Sequence, residues 1–448
     1  MGSIFEYELG SKTDFQKDLH DTTSKTEPII CNHYKDFKKC TWTSTMPIKM
    51  NSSLDGDEVV YQVFNTYHFL NDSYMKFTSP VISVIPEHRG KVQICWCRNM
   101  GTNIVKSAVF KENNERFNGW DYTWADMYSQ YFPICKQGGL TKMDIGMGNI
   151  PQLIEWNEEL PKHNFNVIQP WFYSFSLENN FNAFPIFYKG SNTRAEHRYT
   201  FRQRIVDLLR VRVLQDGKWV ELHSPKQKCK YVGITTEDLI KTPELWGEYS
   251  CVTEAELEDF KTEKEYTYYY RDVVECDASN PTLAGKVSDI QLFSRNPCLA
   301  MFWVAENQNA LKNNNYSNYT TNTDSILNGQ DPIEKITLKY GDIPKFDGFD
   351  ADHFTINQAL KKFPSSPRLN GYYAYSNAAN LSNFDADIGV VYTDKVSLKC
   401  KLAGPEDDDE EDEDKPQTTQ YQVKVRLLVL KRYKVKKDDK GNFEFSFK

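Results

Sequence analysis

Short segments rich in β-branched and aromatic residues, broken by turn clusters, recur along this chain and leave little room for a helical or parallel α/β fold. In the first half they cover Glu58–Phe64, Val81–Ile85, Lys91–Cys97, Ile104–Phe110, Trp171–Leu177, Phe184–Tyr188, Arg198–Ile205 and Leu208–Leu214. In the second half they cover Lys218–Leu222, Glu265–Arg271, Leu299–Ala305, Ile336–Tyr340, Ile388–Thr393, Val396–Leu402 and Tyr421–Val435. The 27 Phe, 26 Tyr and 9 Trp add to this, because bulky, stiff side chains suit a pleated, half-buried surface.

Two turns carry their own mechanism. Asp216-Gly217 separates two alternating segments, and glycine accepts the positive φ that a tight hairpin needs. Gly441 plays the same part before a last strand, Phe443–Phe447. In the preceding segment Val423, Val425, Leu427 and Val429 share one face. The other face runs Lys424, Arg426, Leu428, Leu430, so its later part reads as buried on both sides. Helices are expected to be few. Thr253 and Glu256 form a capping box opening Glu254–Phe260, and Tyr122–Tyr131 and Thr355–Phe363 are weaker candidates.

A length of 448 residues suits about two to four domains of ~100–200 residues each. No Pro- or Gly-rich linker marks the middle. The expected division falls near Gln215–Lys218, giving an N-terminal segment 1–30, a first domain 31–215 and a second 216–448. The net charge is −8, and the nine consecutive acids Glu406 to Asp414 exceed it, so the remaining chain stands at −8 + 9 = +1. A protein that neutralises phosphates directly should show a basic excess, so direct nucleic-acid binding is not expected. The acidic run lacks the alternating ligands and internal glycine of a calcium loop and reads as a solvated loop between strands.

No catalytic constellation assembles. There is no phosphate loop, no H-E-x-x-H, no H-x-H pair and no G-x-S-x-G elbow, and Gly146-Met147-Gly148 lacks the third glycine of a dinucleotide fingerprint. The ten cysteines include no C-x-x-C, and Cys95 and Cys97 read as small core residues of a reduced, intracellular protein rather than as ligands. Neither a metal, a cofactor nor enzymatic turnover is therefore expected. No apolar run approaches the ~20 residues of a membrane span. The opening MGSIFEYELG does not read as a secretory signal, and Glu6 departs from the myristoylation pattern. Long polar loops are expected at Lys312–Gln330 and Gly371–Asp387. N-x-S/T sequons stand at Asn51, Asn71, Asn315, Asn318 and Asn380, of which Asn315, Asn318 and Asn380 are the candidates for surface glycosylation.

Four ordered stretches resemble the double jelly-roll major capsid proteins of nucleocytoplasmic large DNA viruses. Lys91 to Phe132 is similar to that family's W-x-x-N-L-G strand and the D/W-rich segment after it, through Asn99, Gly101, Ile104 and Val105, with Met100 in place of the usual Leu. Met143–Leu153 is similar to a G-N-x-P-x-L loop through Gly148, Asn149, Pro151 and Leu153. Pro170, Trp171, Phe172, Ala183, Phe184 and Pro185 resemble the L-P-F-W-F … A-L-P-L hairpin. Tyr433, Gly441, Phe445 and Ser446 resemble the family's last segment, with Lys434 where Asn is usual.

The resemblance implies an all-β fold of two tandem eight-stranded jelly-roll β-sandwiches with a few short helices in loops. It implies a structural role, with homotrimers forming pseudo-hexagonal discs that tile an icosahedral shell. The implied partners are further copies, neighbouring capsomers, and minor capsid and penton proteins. A viral membrane would lie nearby without being spanned, and assembly would take place in the host cytoplasm. Lys312–Gln330 and the acidic run would face the virion exterior, the latter linking the last two strands of the second roll. A carbohydrate-binding or carbohydrate-active β-sandwich is the alternative, since Trp- and Tyr-rich sandwiches stack sugars.

Overall fold

The computed structural model describes residues 42–132, 142–173, 183–187, 194–262, 265–378, 381, 395–404, 419–437 and 443–447. Every strand pairing among them is antiparallel.

In the first half one sheet runs in the order Trp42–Lys49, Glu244–Val252, Phe69–Ser79, His163–Ile168. Asn51–Asp55, Glu58–Gln62, Ala195–Phe201, Val105–Glu112 and Glu115–Asp121 form a second sheet. A third joins Lys218–Glu221, Leu209–Gln215 and Val92–Trp96. Leu70, Met75, Phe77 and Tyr249 from the first sheet share one apolar core with Val59, Tyr61, Phe110 and Tyr199 from the second. The Asp216-Gly217 hairpin forms as expected, with φ of 48° and 76°. It lies inside the first half, however. Glu244–Val252 pairs with both Trp42–Lys49 and Phe69–Ser79, which carries the first sandwich beyond the division expected at Gln215–Lys218. Short-range turn chemistry marks a hairpin equally well within a domain and between domains.

The second half has two four-strand paths. One is Glu265–Glu275, Gln420–Lys437, Cys298–Asn307, Tyr372–Ser376, with Thr282–Leu283 and Phe443–Phe447 also paired to Gln420–Lys437. The other is Val287–Leu292, Val396–Leu402, Ile333–Tyr340, Ile343–Asp350. The first of these sheets is buried on both faces. Met301, Trp303, Ala305, Val423, Val425, Leu427 and Val429 enter the second sandwich's own core with Ile336, Leu338, Leu398 and Cys400. Ala300, Phe302, Val304, Leu428 and Leu430 point the other way and join the first half's cluster. This is the double burial that the 423–430 pattern announced.

Helices are short and sit in connections. Glu254–Thr262 opens on the expected capping box, with the Glu256 amide donating to Thr253 Oγ1 (3.4 Å) and the Thr253 amide to Glu256 Oε2 (3.3 Å). Tyr122–Tyr131 is helical as well, and residues 353–362 form a π-turn followed by the helix Gln358–Lys362. Cys95 and Cys97 are fully buried, and burial pushes both thiols up to about 12, which keeps them unreactive.

Candidate functional site: the seam between the sandwiches

The two sandwiches meet along a face that is partly aromatic and partly ionic. Asp121 ends the strand Glu115–Asp121 and caps the helix Tyr122–Tyr131, its Oδ1 accepting from the Trp124 amide at 2.9 Å. The same carboxylate receives Arg426 as a fork, Nε to Oδ1 at 3.0 Å and Nη2 to Oδ2 at 2.7 Å. Arg426 also pairs with Asp277 and is 1% exposed. Burial works against an ionised Asp121, but the charge and hydrogen bonds of Arg426 outweigh it and hold the carboxyl below its ordinary range.

Two residues earlier on the strand, Lys424 pairs with Glu306 at 2.8 Å and donates to Tyr122 Oη, while Tyr122 donates to Glu306 Oε1 at 2.8 Å. Burial opposes the Lys424 charge, and Glu306 more than restores it. A third group centres on buried Asp272. Its Oδ1 accepts from the amides of Val273 (2.8 Å) and Gly119 (3.1 Å), and it pairs with Lys431 and Arg116. Rings fill the space between these groups. Phe117 stacks on Tyr270 at 3.9 Å, and Trp124 and Tyr131 meet Phe302 edge-on at 5.2 and 5.3 Å.

A node of side-chain amides around Asp126 completes the seam and draws together separate sequence motifs. Asn99 adopts φ of 50°, a left-handed conformation that asparagine tolerates. Its amide donates to Asn149 Oδ1 at 2.8 Å, Asn149 Nδ2 donates back to Asn99 Oδ1, and Asn99 Nδ2 donates to Asp126. Tyr372 from the second sandwich donates to Asp126 Oδ2 at 2.9 Å. Burial raises the Asp126 carboxyl despite the donors from Tyr372, Ser317 and Asn99. Gly148 beside this node takes φ of +83°, and a Cβ there would stand 2.5 Å from the Phe165 ring. That explains why glycine precedes Asn149.

The Asn-rich loop overturns its expectation. Asn315 and Asn318 are buried, 6% and 3% exposed, and their amides donate to Thr323 O (2.6 Å) and Asn322 O (2.8 Å). Their donors are used within the loop, which makes them poor glycan acceptors and not surface decoration. The loop is tied to the first sandwich instead. Asn314 Nδ2 donates to the carbonyls of Val206 (2.7 Å) and Leu209 (3.1 Å), Asn103 Nδ2 to Ser317 Oγ (2.7 Å), and Arg202 lies over Tyr122 and Tyr316. Polar residues were read as solvated, whereas here they satisfy backbone at a junction where water is excluded. Asn380 and the acidic run 406–414 lie outside the described residues; the run falls between the strands Val396–Leu402 and Gln420–Lys437, with Phe443–Phe447 following.

No group of three or more metal-type ligands occurs among the described residues, and no described helix is long and apolar enough to cross a membrane. Asp272, Glu306 and Asp277 carried no sequence signal that marked them as seam residues. Lys424 and Arg426 offered one, as charges on a strand face that turns apolar two residues later, although the pattern was read only as burial of the later part.

Comparison with known proteins agrees with this architecture. A family described as large eukaryotic DNA virus major capsid protein matches residues 268–431. The major capsid protein of Invertebrate iridescent virus 6 is 21% identical over 410 residues, covering 84% of this chain and 83% of that protein. The PBCV-1 virus capsid structure superposes with a TM-score of 0.61 at 13% identity, covering 91% of this chain and 97% of that one. The Faustovirus major capsid protein gives 0.61 at 8% identity, covering 92% and 94%. At these identities the superpositions establish the shared double jelly-roll fold.

Proposed function

We propose that this chain, a structural capsid protein related to the large eukaryotic DNA virus major capsid proteins, works as a homotrimer whose six sandwiches form a pseudo-hexagonal building block of an icosahedral shell. Its role is architectural and not catalytic. The observation that carries the reading is the seam. Two sandwiches locked by the buried Arg426–Asp121 ion pair and by stacked rings behave as one broad rigid unit, which is what a tile needs. An obligate trimer contact buries roughly 2,000–5,000 Å² and draws on aromatic-rich surfaces.

The domain division that supports this reading lies within residues 253–264, between the strands Glu244–Val252 and Glu265–Glu275. The partners are further copies, neighbouring capsomers, and minor capsid and penton proteins. The protein resides in the virion capsid, near but not across an internal membrane, and assembles in the host cytoplasm. Negative-stain imaging of the purified chain tests the proposal. Three-fold particles of hexagonal outline are expected, and isolated two-lobed particles at micromolar concentration would overturn it.

A further inference from the structure

Beside the Asn99–Asp126 node a solvent-open cleft of about 50 Å³ lies between the two sandwiches. Its first-sandwich wall carries Arg98, Ser129, Gln130 and Asn149, and its second-sandwich wall carries Ser365, Ser366 and Arg368. The walls are already sewn together at the edge. The Ser365 amide donates to Tyr131 O at 3.0 Å, and the Arg368 amide donates to Gln130 Oε1 at 3.2 Å.

The charge in this cleft is unbalanced. Arg368 Nη1 pairs with Asp144 Oδ2 at 3.3 Å, and Asp144 is the one carboxylate among the lining residues. Arg98 remains. Its Nε is buried and has no acceptor among the described residues. A guanidinium stays charged at any physiological pH, so it cannot escape this cost by losing a proton. Asp126, the nearby acid that feels the Arg98 charge, is no substitute. Its oxygens are engaged by Asn99 and Tyr372, and burial raises its carboxyl. Arg98 as a whole is half-buried, and a charged donor left without an acceptor in a partly desolvated site is costlier than a neutral one. The Ser129 hydroxyl already donates to Asp126 O at 2.6 Å and the Ser365 hydroxyl to Ser366 O at 3.4 Å, which leaves the Ser366 hydroxyl beside Arg98 to complete an oxyanion shell.

We infer that this cleft binds a small oxyanion, a phosphate or carboxylate group, between Arg98 on one sandwich and the Ser365–Arg368 segment on the other, so that the ligand cross-braces the seam. This goes beyond the capsid reading and stands or falls without it.

Calorimetric titration of the full chain at constant ionic strength, with inorganic phosphate in one arm and acetate in the other, tests the inference. Saturable binding of one anion per chain is expected, and Arg98→Met should weaken it about tenfold or more, the worth of one charge-assisted hydrogen bond. Tighter phosphate binding identifies a phosphate-class ligand, and comparable acetate binding identifies a carboxylate such as a neighbouring chain's side chain. Failure of both anions to bind, or unchanged binding in a folded Arg98→Met, would overturn it. If Arg98→Met does not fold, Ser366→Glu sets a competing carboxylate at the cleft wall. It should abolish binding, and full retention would equally overturn the inference.

Discussion

The interior of the second sandwich and the seam share a sheet, yet they are built from opposite materials. On one face of Gln420–Lys437, Val423, Val425, Leu427 and Val429 pack into a core of aliphatic and aromatic side chains. On the other face Lys424 and Arg426 meet Glu306, Asp121 and Asp277. The apolar face holds by area removed from water, which tolerates any close-packed neighbour. The ionic face holds only when each charge finds its own partner, so it fixes how one sandwich sits on the other. One strand therefore separates the two tasks, stability on one side and orientation on the other.

The largest expected effect breaks that division on the ionic side. Arg426→Leu strands Asp121 and Asp277 and should cost about 3–5 kcal/mol in denaturant unfolding. Adding Asp121→Asn and Asp277→Asn should recover much of the loss, since the stranded charges then vanish. On the apolar side Leu427→Ala should cost about 2–5 kcal/mol, and those charge-neutralising changes should recover none of it. Next comes Asn314→Ala, which deprives the Val206 and Leu209 carbonyls of a donor. It should cost about 1–3 kcal/mol and loosen amide-exchange protection at residues 206–209 before that of the Val396–Leu402 strand.

The smallest effects are those of pH. Asp121 is held below its ordinary value, so its contribution is present above about pH 4 and is lost as pH falls through its lower folded value. Asp72, in the first sandwich, has the opposite sign. Burial and Glu248 push it up to about 7 against the Ser73 amide, so stability is highest below pH 4 and declines as pH rises through about 7. Thermal melts across pH should show the decline between about pH 4 and 7 flattened in Asp72→Asn and the acid decline reduced in Asp121→Asn.

The sequence disclosed the apolar half of this account far better than the polar half. Alternation alone located Val396–Leu402 and the two-faced Gln420–Lys437, because a strand's period of two is local. Glu244–Val252 also alternates in burial, but it is absent from the expected strands. In the fold Gly247 is required, since a Cβ there would stand 2.7 Å from the Met50 Cε and the Tyr249 ring. Partners across the seam stand far apart in sequence, 108 residues for Val206 and Asn314 and 305 for Asp121 and Arg426, and no local pattern couples them. The Asn-rich segment failed for a related reason. Composition suggests water, but whether an amide meets water or a carbonyl from residue 206 is decided only by the tertiary fold.

A seam-locked pair of sandwiches that serves as the tile of a larger assembly must associate stably with copies of itself. The molar mass of the purified full chain by light scattering tests it most directly. A stable species three times the 52.2 kDa chain mass, undiminished on dilution to micromolar concentration, is expected. A monodisperse species of a single chain mass under those conditions would contradict it.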